Sequence, residues 1–170
     1  MKWIGALLLI GTATTIGFEW SNGLKQRPKH IRQVINALQV LEAEMVYSQV
    51  SLQAAFLIIS KKSPEPIRLF FQGMAEQMDK IPFDFDQIWE KQVSLLLKNS
   101  ALQSSDEEIL LQFGKSLGQH DIEQQQKHIH LTKVYLETQL SEAQDAYQHY
   151  GKLSKTLGIL CGLFLVLLFI

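Results

Sequence analysis

Cysteine is nearly absent from this 170-residue chain. Cys161 is the only one, which excludes a disulfide or a cysteine-based zinc site within one chain. Proline is scarce as well: all four lie between Pro28 and Pro82, and the chain from there to Ile170 runs without one. Positive charge is thin through the middle, where residues 33–150 hold nine Lys/Arg against sixteen Asp/Glu, a balance of −7 behind a whole-chain net charge of only −1. A nucleic-acid binder carries the opposite sign. No segment alternates apolar and polar residues as half-buried strands do, so helix is the expected repeating element.

What is present, first, is an apolar stretch at each end. Residues 156–170 are fifteen uncharged residues, about 22 Å as a helix, and Leu153 with the stems of Lys152 and Lys155 makes up the deficit against a bilayer. Residues 3–18 are likewise uncharged, and Trp3 and Trp20 stand about 25 Å apart along a helix, placing both indoles near membrane interfaces. A cleaved signal peptide shares the outline of Met1-Lys2 plus an apolar run, but the run continues through Thr14, Thr15, Ile16 and Gly17 without a small-x-small cleavage site. Lys25, Arg27, Lys29 and Arg32 follow the first stretch and Lys152 and Lys155 precede the second, while the outer flanks hold only Lys2. The positive-inside rule then puts the middle of the chain in the cytoplasm and both termini across the membrane. The expected division is a transmembrane helix over 1–20, a cytoplasmic bundle over 21–155 and a transmembrane helix over 156–170. Ala13 with Gly17, and Gly158 with Gly162, are candidates for close helix packing in lipid.

Between the anchors the apolar spacing is helical. Ile31, Val34, Leu38, Leu41 and Met45 predict an amphipathic helix starting at Pro28. Ser51 is a cap for a second carrying Leu52, Ala55, Phe56 and Ile59. Ser63-Pro64-Glu65-Pro66 breaks the chain before a third helix with Ile67, Phe70, Phe71, Met74 and Met78 inward, stopping at Pro82. Asp84 caps a fourth with Ile88, Trp89, Val93, Leu96 and Leu97 inward, and Ser105 with Glu108 reads as the capping box of a fifth carrying Ile109, Leu110, Phe113 and Leu117. Gly118 suits a left-handed helix end, and Asp121 opens a sixth whose stripe is Ile122, Ile129, Leu136, Leu140, Ala143 and Tyr147, with Gln126 and Lys133 at seam positions. The fold class is all-α, a bundle of about six helices.

Catalytic patterns are weak. Gly114-Lys115-Ser116 resembles the end of a phosphate-binding loop, but Ile109 stands where the first glycine is needed and the segment reads as helix. His120 and His128 are two helical turns apart, about 12 Å, too far for one metal. Glu42 and Glu44 point to different helix faces, while Asp84 with Asp86 and the run Asp106-Glu107-Glu108 read as caps and first-turn charges. No nucleophile stands beside a base, so no enzyme and no cofactor is expected.

Two blocks carry a resemblance. Gly17-Phe18-Glu19, Gln26-Arg27-Pro28-Lys29-His30-Ile31-Arg32 and Ala37-Leu38-Gln39-Val40-Leu41-Glu42-Ala43-Glu44-Met45-Val46-Tyr47 form the first, and Phe113-Gly114-Lys115-Ser116-Leu117-Gly118-Gln119-His120-Asp121 with Gln125-Gln126-Lys127 the second. Together they resemble the stage III sporulation protein AB family over nearly the whole chain. The resemblance implies a membrane protein of endospore-forming bacteria, in the mother-cell membrane facing the forespore, working with other subunits of a channel complex. It also implies a body similar to the six-helix cytoplasmic domain of type II secretion and type IV pilus platform proteins, with a secretion-type ATPase of the same operon as partner. Such platforms carry two helical domains, whereas this chain has one, so self-association is expected. Candidate partner or lipid contacts are Lys25, Arg27, Lys29 and Arg32 in the basic collar and Gln119, His120, Asp121 and Glu123 at the last turn. The alternative function is a membrane-tethered regulator that binds a cytoplasmic signalling protein.

Overall fold

The computed structural model describes residues 23, 25–80, 82, 84–117 and 123–149, and among them every regular element is an α-helix. The order is α1 (Lys2–Val46), α2 (Leu52–Lys62), α3 (Ile67–Met78), α4 (Phe85–Lys98), α5 (Ser104–Ser116) and α6 (Ile122–Phe169). Six helices match the expected number. Among the described residues no helix is long and apolar enough to cross a membrane; the two stretches read as anchors, with Ala13, Gly17, Gly158 and Gly162, lie outside them.

The first helix differs from the expected start at Pro28, because α1 runs straight through that residue. A proline inside a helix forfeits one backbone hydrogen bond, at a cost of about 3 kcal/mol. Here Pro28 is buried one turn before Ile31, so the same residue adds apolar contact where α1 meets the body. That packing, which spacing along the chain does not reveal, offsets the lost bond.

The largest helix pair is α1 with α6. It is antiparallel: Arg27 near the start of the described part of α1 meets Gln139, while Glu42 fifteen residues later meets Gln126 and Lys133. The start of the described part of α1 and the end of the described part of α6 therefore lie at one end of the pair. The α6 stripe is buried at Ile129, Leu136 and Ala143, every seventh residue, against a core that takes Ile31, Val34, Leu38 and Leu41 from α1. Of the other expected stripe residues Leu140 is half-buried and Tyr147 is exposed. The polar seam positions have a partner. Lys133 Nζ lies 2.6 Å from Glu42 Oε2, and Gln126 Nε2 donates to Glu42 Oε1 at 3.5 Å, so one carboxylate pins the register of the two long helices.

The short helices pack against this pair. Ser51 caps α2 by accepting from Ala54 N–H at 3.3 Å, and Asp84 caps α4 by accepting from Gln87 N–H at 3.2 Å, as the sequence indicates. Glu44 turns away from Glu42 toward Lys62 at 3.3 Å. Helix α3 ends at Met78, earlier than Pro82, with Lys80 N–H closing a tight turn onto the Gln77 carbonyl. Ile88 and Leu97 of α4 are half-buried while Gln92 takes an inward place. The cap of α5 is displaced from its expected place: Gln103 precedes the helix and the Asp106 carboxylate accepts from its backbone N–H at 2.8 Å. Ser105 and Glu108 fit the local capping pattern, but Asp106 is held by a partner from α1, and that contact decides the register. Gly118 and Asp121 lie outside the described residues.

The aromatic part of the core centres on Trp89. Phe70 and Phe113 meet its ring edge-on at 5.2 and 5.7 Å, Phe85 stacks on it at 5.8 Å, and its indole N–H donates to the Leu110 carbonyl at 2.8 Å. Gly114 explains that approach. A Cβ there would stand 2.2 Å from the indole, so this glycine serves helix packing and not phosphate binding. Gly114→Ala is expected to lower stability by about 1–3 kcal/mol, as overpacking does, in urea unfolding of the detergent-solubilised chain. Gly73→Ala should cost less, because its new Cβ would meet only the movable end of Gln92, at 2.6 Å.

Candidate functional site at the basic end of the body

The basic residues Lys25, Lys29 and Arg32 follow one another at four and three residues, which puts them on one side of α1, and all three are exposed. Arg27 is turned the other way. Its side chain is 12% exposed and that of Asp106 is 0% exposed, with Nε to Oδ2 at 3.0 Å and Nη2 to Oδ1 at 3.1 Å, a two-pronged ion pair between α1 and α5. Arg27 Nη2 also donates to Gln139 Oε1 at 2.8 Å and to Ser105 Oγ at 3.2 Å, and Ser105 Oγ donates to the same Gln139 oxygen at 2.8 Å. Three helices are thus joined at one guanidinium. The collar read from the sequence as four equivalent cations is three outward charges and one internal fastening.

Lys29 lines an open cavity of about 660 Å³ between α1, the start of α3 and the connection from α4 to α5. Gln26 and His30 share the α1 wall, and Pro66, Leu69, Asn99, Ser100 and Ala101 form the rest with Glu65. Pro66, Leu69 and Asn99 also border a smaller recess of about 150 Å³ between α3 and α4, so the two make one groove. His30 fastens the groove to α1: its Nδ1 accepts the Ala101 N–H at 3.0 Å, which requires the ring proton on Nε2. Burial, with the Lys29 charge adding to it, lowers the His30 pKa below the usual 6.5.

The second candidate set is remote from the first. Glu123 is exposed near the opposite end of the α1–α6 pair, 3.7 Å from Lys127 one turn along, and Gln119, His120 and Asp121 lie outside the described residues. Among the described residues no group of three His, Cys, Asp or Glu is placed to hold a metal ion. The arrangement offers charge and apolar surface to a partner. Sequence reading missed Asp106 as a tertiary partner, since its charge reads as a helix-start residue. It also missed the exposed Leu69 and Leu95 beside the groove and Leu131, Val134 and Tyr135 on α6. Their signal was apolar residues left over from the core stripes.

A family model for stage III sporulation protein AB matches residues 2–170. The chain belongs to the stage III sporulation protein AB family. It is 37% identical over 168 residues to stage III sporulation protein AB of Bacillus subtilis strain 168, covering 99% of this chain and 98% of that one. It is also similar to a solved structure of stage III sporulation protein AB (SpoIIIAB), with a TM-score of 0.67 and 36% identity, covering 72% of this chain and 97% of the other. The helical fold is therefore that of the family, and the chain is a relative of a sporulation protein.

Two outcomes follow from the geometry. Asp106→Asn leaves the Arg27 charge buried without its counterion and is expected to cost about 3–5 kcal/mol in urea unfolding, while Arg27→Met combined with Asp106→Leu recovers much of that loss. Between the lowered His30 pKa and 6.5 the unfolded chain binds more protons than the folded one. The His30 contribution is therefore fully present above that window and is lost as pH falls through it. Urea midpoints measured from about pH 7.5 to 5 should fall more for the natural chain than for His30→Gln, which keeps an acceptor and does not titrate.

Proposed function

We propose that this chain is a non-enzymatic, membrane-anchored scaffold of the complex that joins mother cell and forespore, and that its helical body docks a cytoplasmic secretion-type ATPase. The observation that carries this reading is the antiparallel α1–α6 pair, because it brings the start of the described part of α1 and the end of the described part of α6 to one end of the body. Both apolar stretches are continuations of those two helices in sequence, so a single membrane suffices for both anchors, with the basic flanks on the cytoplasmic side. Membership of the stage III sporulation protein AB family supports the sporulation setting. The ATPase is proposed as partner because the resemblance read from the sequence implies a body similar to that of secretion platform proteins. In this reading the body presents formed surfaces and the ATPase supplies the chemistry.

Lys25, Lys29 and Arg32 are the outward cations left for an acidic partner or anionic headgroups once Arg27 is engaged with Asp106. Purification of the chain from membranes of sporulating cells should recover the ATPase of the same operon. Neutralising Lys25, Lys29 and Arg32 together, with Arg27 untouched, should reduce that recovery severalfold. Absence of the ATPase from an intact, crosslinked preparation would overturn the docking role.

A further inference from the structure

The body carries two apolar surfaces on separate faces. One is a ridge on α6, where Leu131, Val134 and Tyr135 are 45%, 42% and 48% exposed and follow one another at three and one residues along the outer side of the helix. The other is the groove between α3 and α4, whose rim leucines Leu69 and Leu95 are 49% and 41% exposed. Helix α6 packs on α1 and α5, so ridge and groove look in different directions. Clustered exposure of this kind marks a contact surface.

Their heights along the body agree. His30 holds Ala101 at the lower end of the groove, and Arg27, less than a turn away, holds Gln139 of α6. Leu95 is one turn above Asn99 on α4, and Tyr135 and Leu131 are one and two turns above Gln139 on α6. Below the apolar parts the charges are opposite. Glu142 and Asp145 continue the ridge on the same side of α6, and both are exposed, Glu142 accepting only from Gln139 at 3.2 Å among the described residues. Lys29 lines the groove and Lys25 precedes it by one turn on the same side of α1, both exposed and with no ion pair to either among the described residues.

We propose that the α6 ridge of one copy of this chain seats in the α3–α4 groove of the next, with Leu131, Val134 and Tyr135 against Leu69 and Leu95, and Glu142 and Asp145 facing Lys25 and Lys29. The rotation that relates the copies runs along α1 and α6, so every copy stands the same way up, as chains anchored in one bilayer must. Because the two surfaces differ, each contact leaves a free ridge at one side and a free groove at the other, and the assembly grows until the rotation closes a ring. The inference takes from the scaffold reading only this common orientation and needs no ATPase.

The test mixes two full-length chains in detergent micelles, both Cys161→Ser, one carrying Leu69→Cys and the other Tyr135→Cys. Both new cysteines replace exposed side chains, and circular dichroism checks that the fold is kept. The expected result is a disulfide dimer from the mixture and none from either chain alone, and a ladder of larger species from a chain carrying both changes. Glu142→Lys with Asp145→Lys on the Tyr135→Cys chain should lower the yield by about threefold or more, a scale set by exposed ion pairs. Lys25→Glu with Lys29→Glu on the other chain should restore it. Dimers from Tyr135→Cys or Leu69→Cys alone, or no mixed dimer, would overturn the proposal, and a yield indifferent to the charge changes would overturn its orientation. Recovery of the ATPase is a separate readout, so failure of one experiment does not stand in for failure of the other.

Discussion

The pairing of α1 with α6 governs the rest of the body, because these two helices are the first and last elements of the chain and everything between them must fit the space they leave. Their register is pinned at two heights by polar contacts that tolerate little sliding: Glu42 with Lys133 and Gln126 at one level, Arg27 with Gln139 at the other. Between these levels the contact is apolar, with Ile31, Leu38 and Leu41 on one helix and Ile129 and Leu136 on the other, all essentially inaccessible to water. Apolar packing alone permits neighbouring registers. A carboxylate answered by a specific amine does not, since a shift of one turn would leave both charges partly buried and unpaired.

Arg27 extends this pairing to α5. By binding Asp106 with two nitrogens it ties the start of α5 to α1, and by reaching Gln139 it ties both to α6. The loop before α5 is fixed a few residues away through Ala101 and His30. The groove above that loop thus rests on a rigid floor, and its shape is set by the same bonds that hold the long helices in register. Trp89 performs the equivalent task for α3, α4 and α5, joining Phe70, Phe113 and the Leu110 carbonyl at a place opened by Gly114.

A body built in this way suits a scaffold. Arg27, Asp106, Glu42 and Lys133 are spent on fastening the helices, Lys25, Lys29 and Arg32 stand exposed together on α1, and Leu69 with Leu95 and Leu131 with Val134 and Tyr135 form exposed apolar groups at a groove and on a ridge. In the proposed setting these surfaces act on neighbours, and the chemistry of energy conversion belongs to the partner.

Residue spacing by itself determined the six helices, most of their inward faces, the Ser51 and Asp84 caps and the acidic character of the middle, because each of these follows from local backbone preference or from the period of the apolar residues. It also showed that Gly114-Lys115-Ser116 belongs to a helix. Tertiary structure alone decided that Arg27 points inward while Lys25, Lys29 and Arg32 point outward, since nothing local distinguishes one cation in a basic run from the next until Asp106, 79 residues away, provides a buried counterion. The same contact placed the cap of α5 at Gln103 and not at Ser105, and burial against the body carried α1 through Pro28. The ridge and groove, too, became visible only when the core had taken its share of apolar side chains. Periodicity reports what a helix wants to bury; only the packing of the other helices determines what remains exposed.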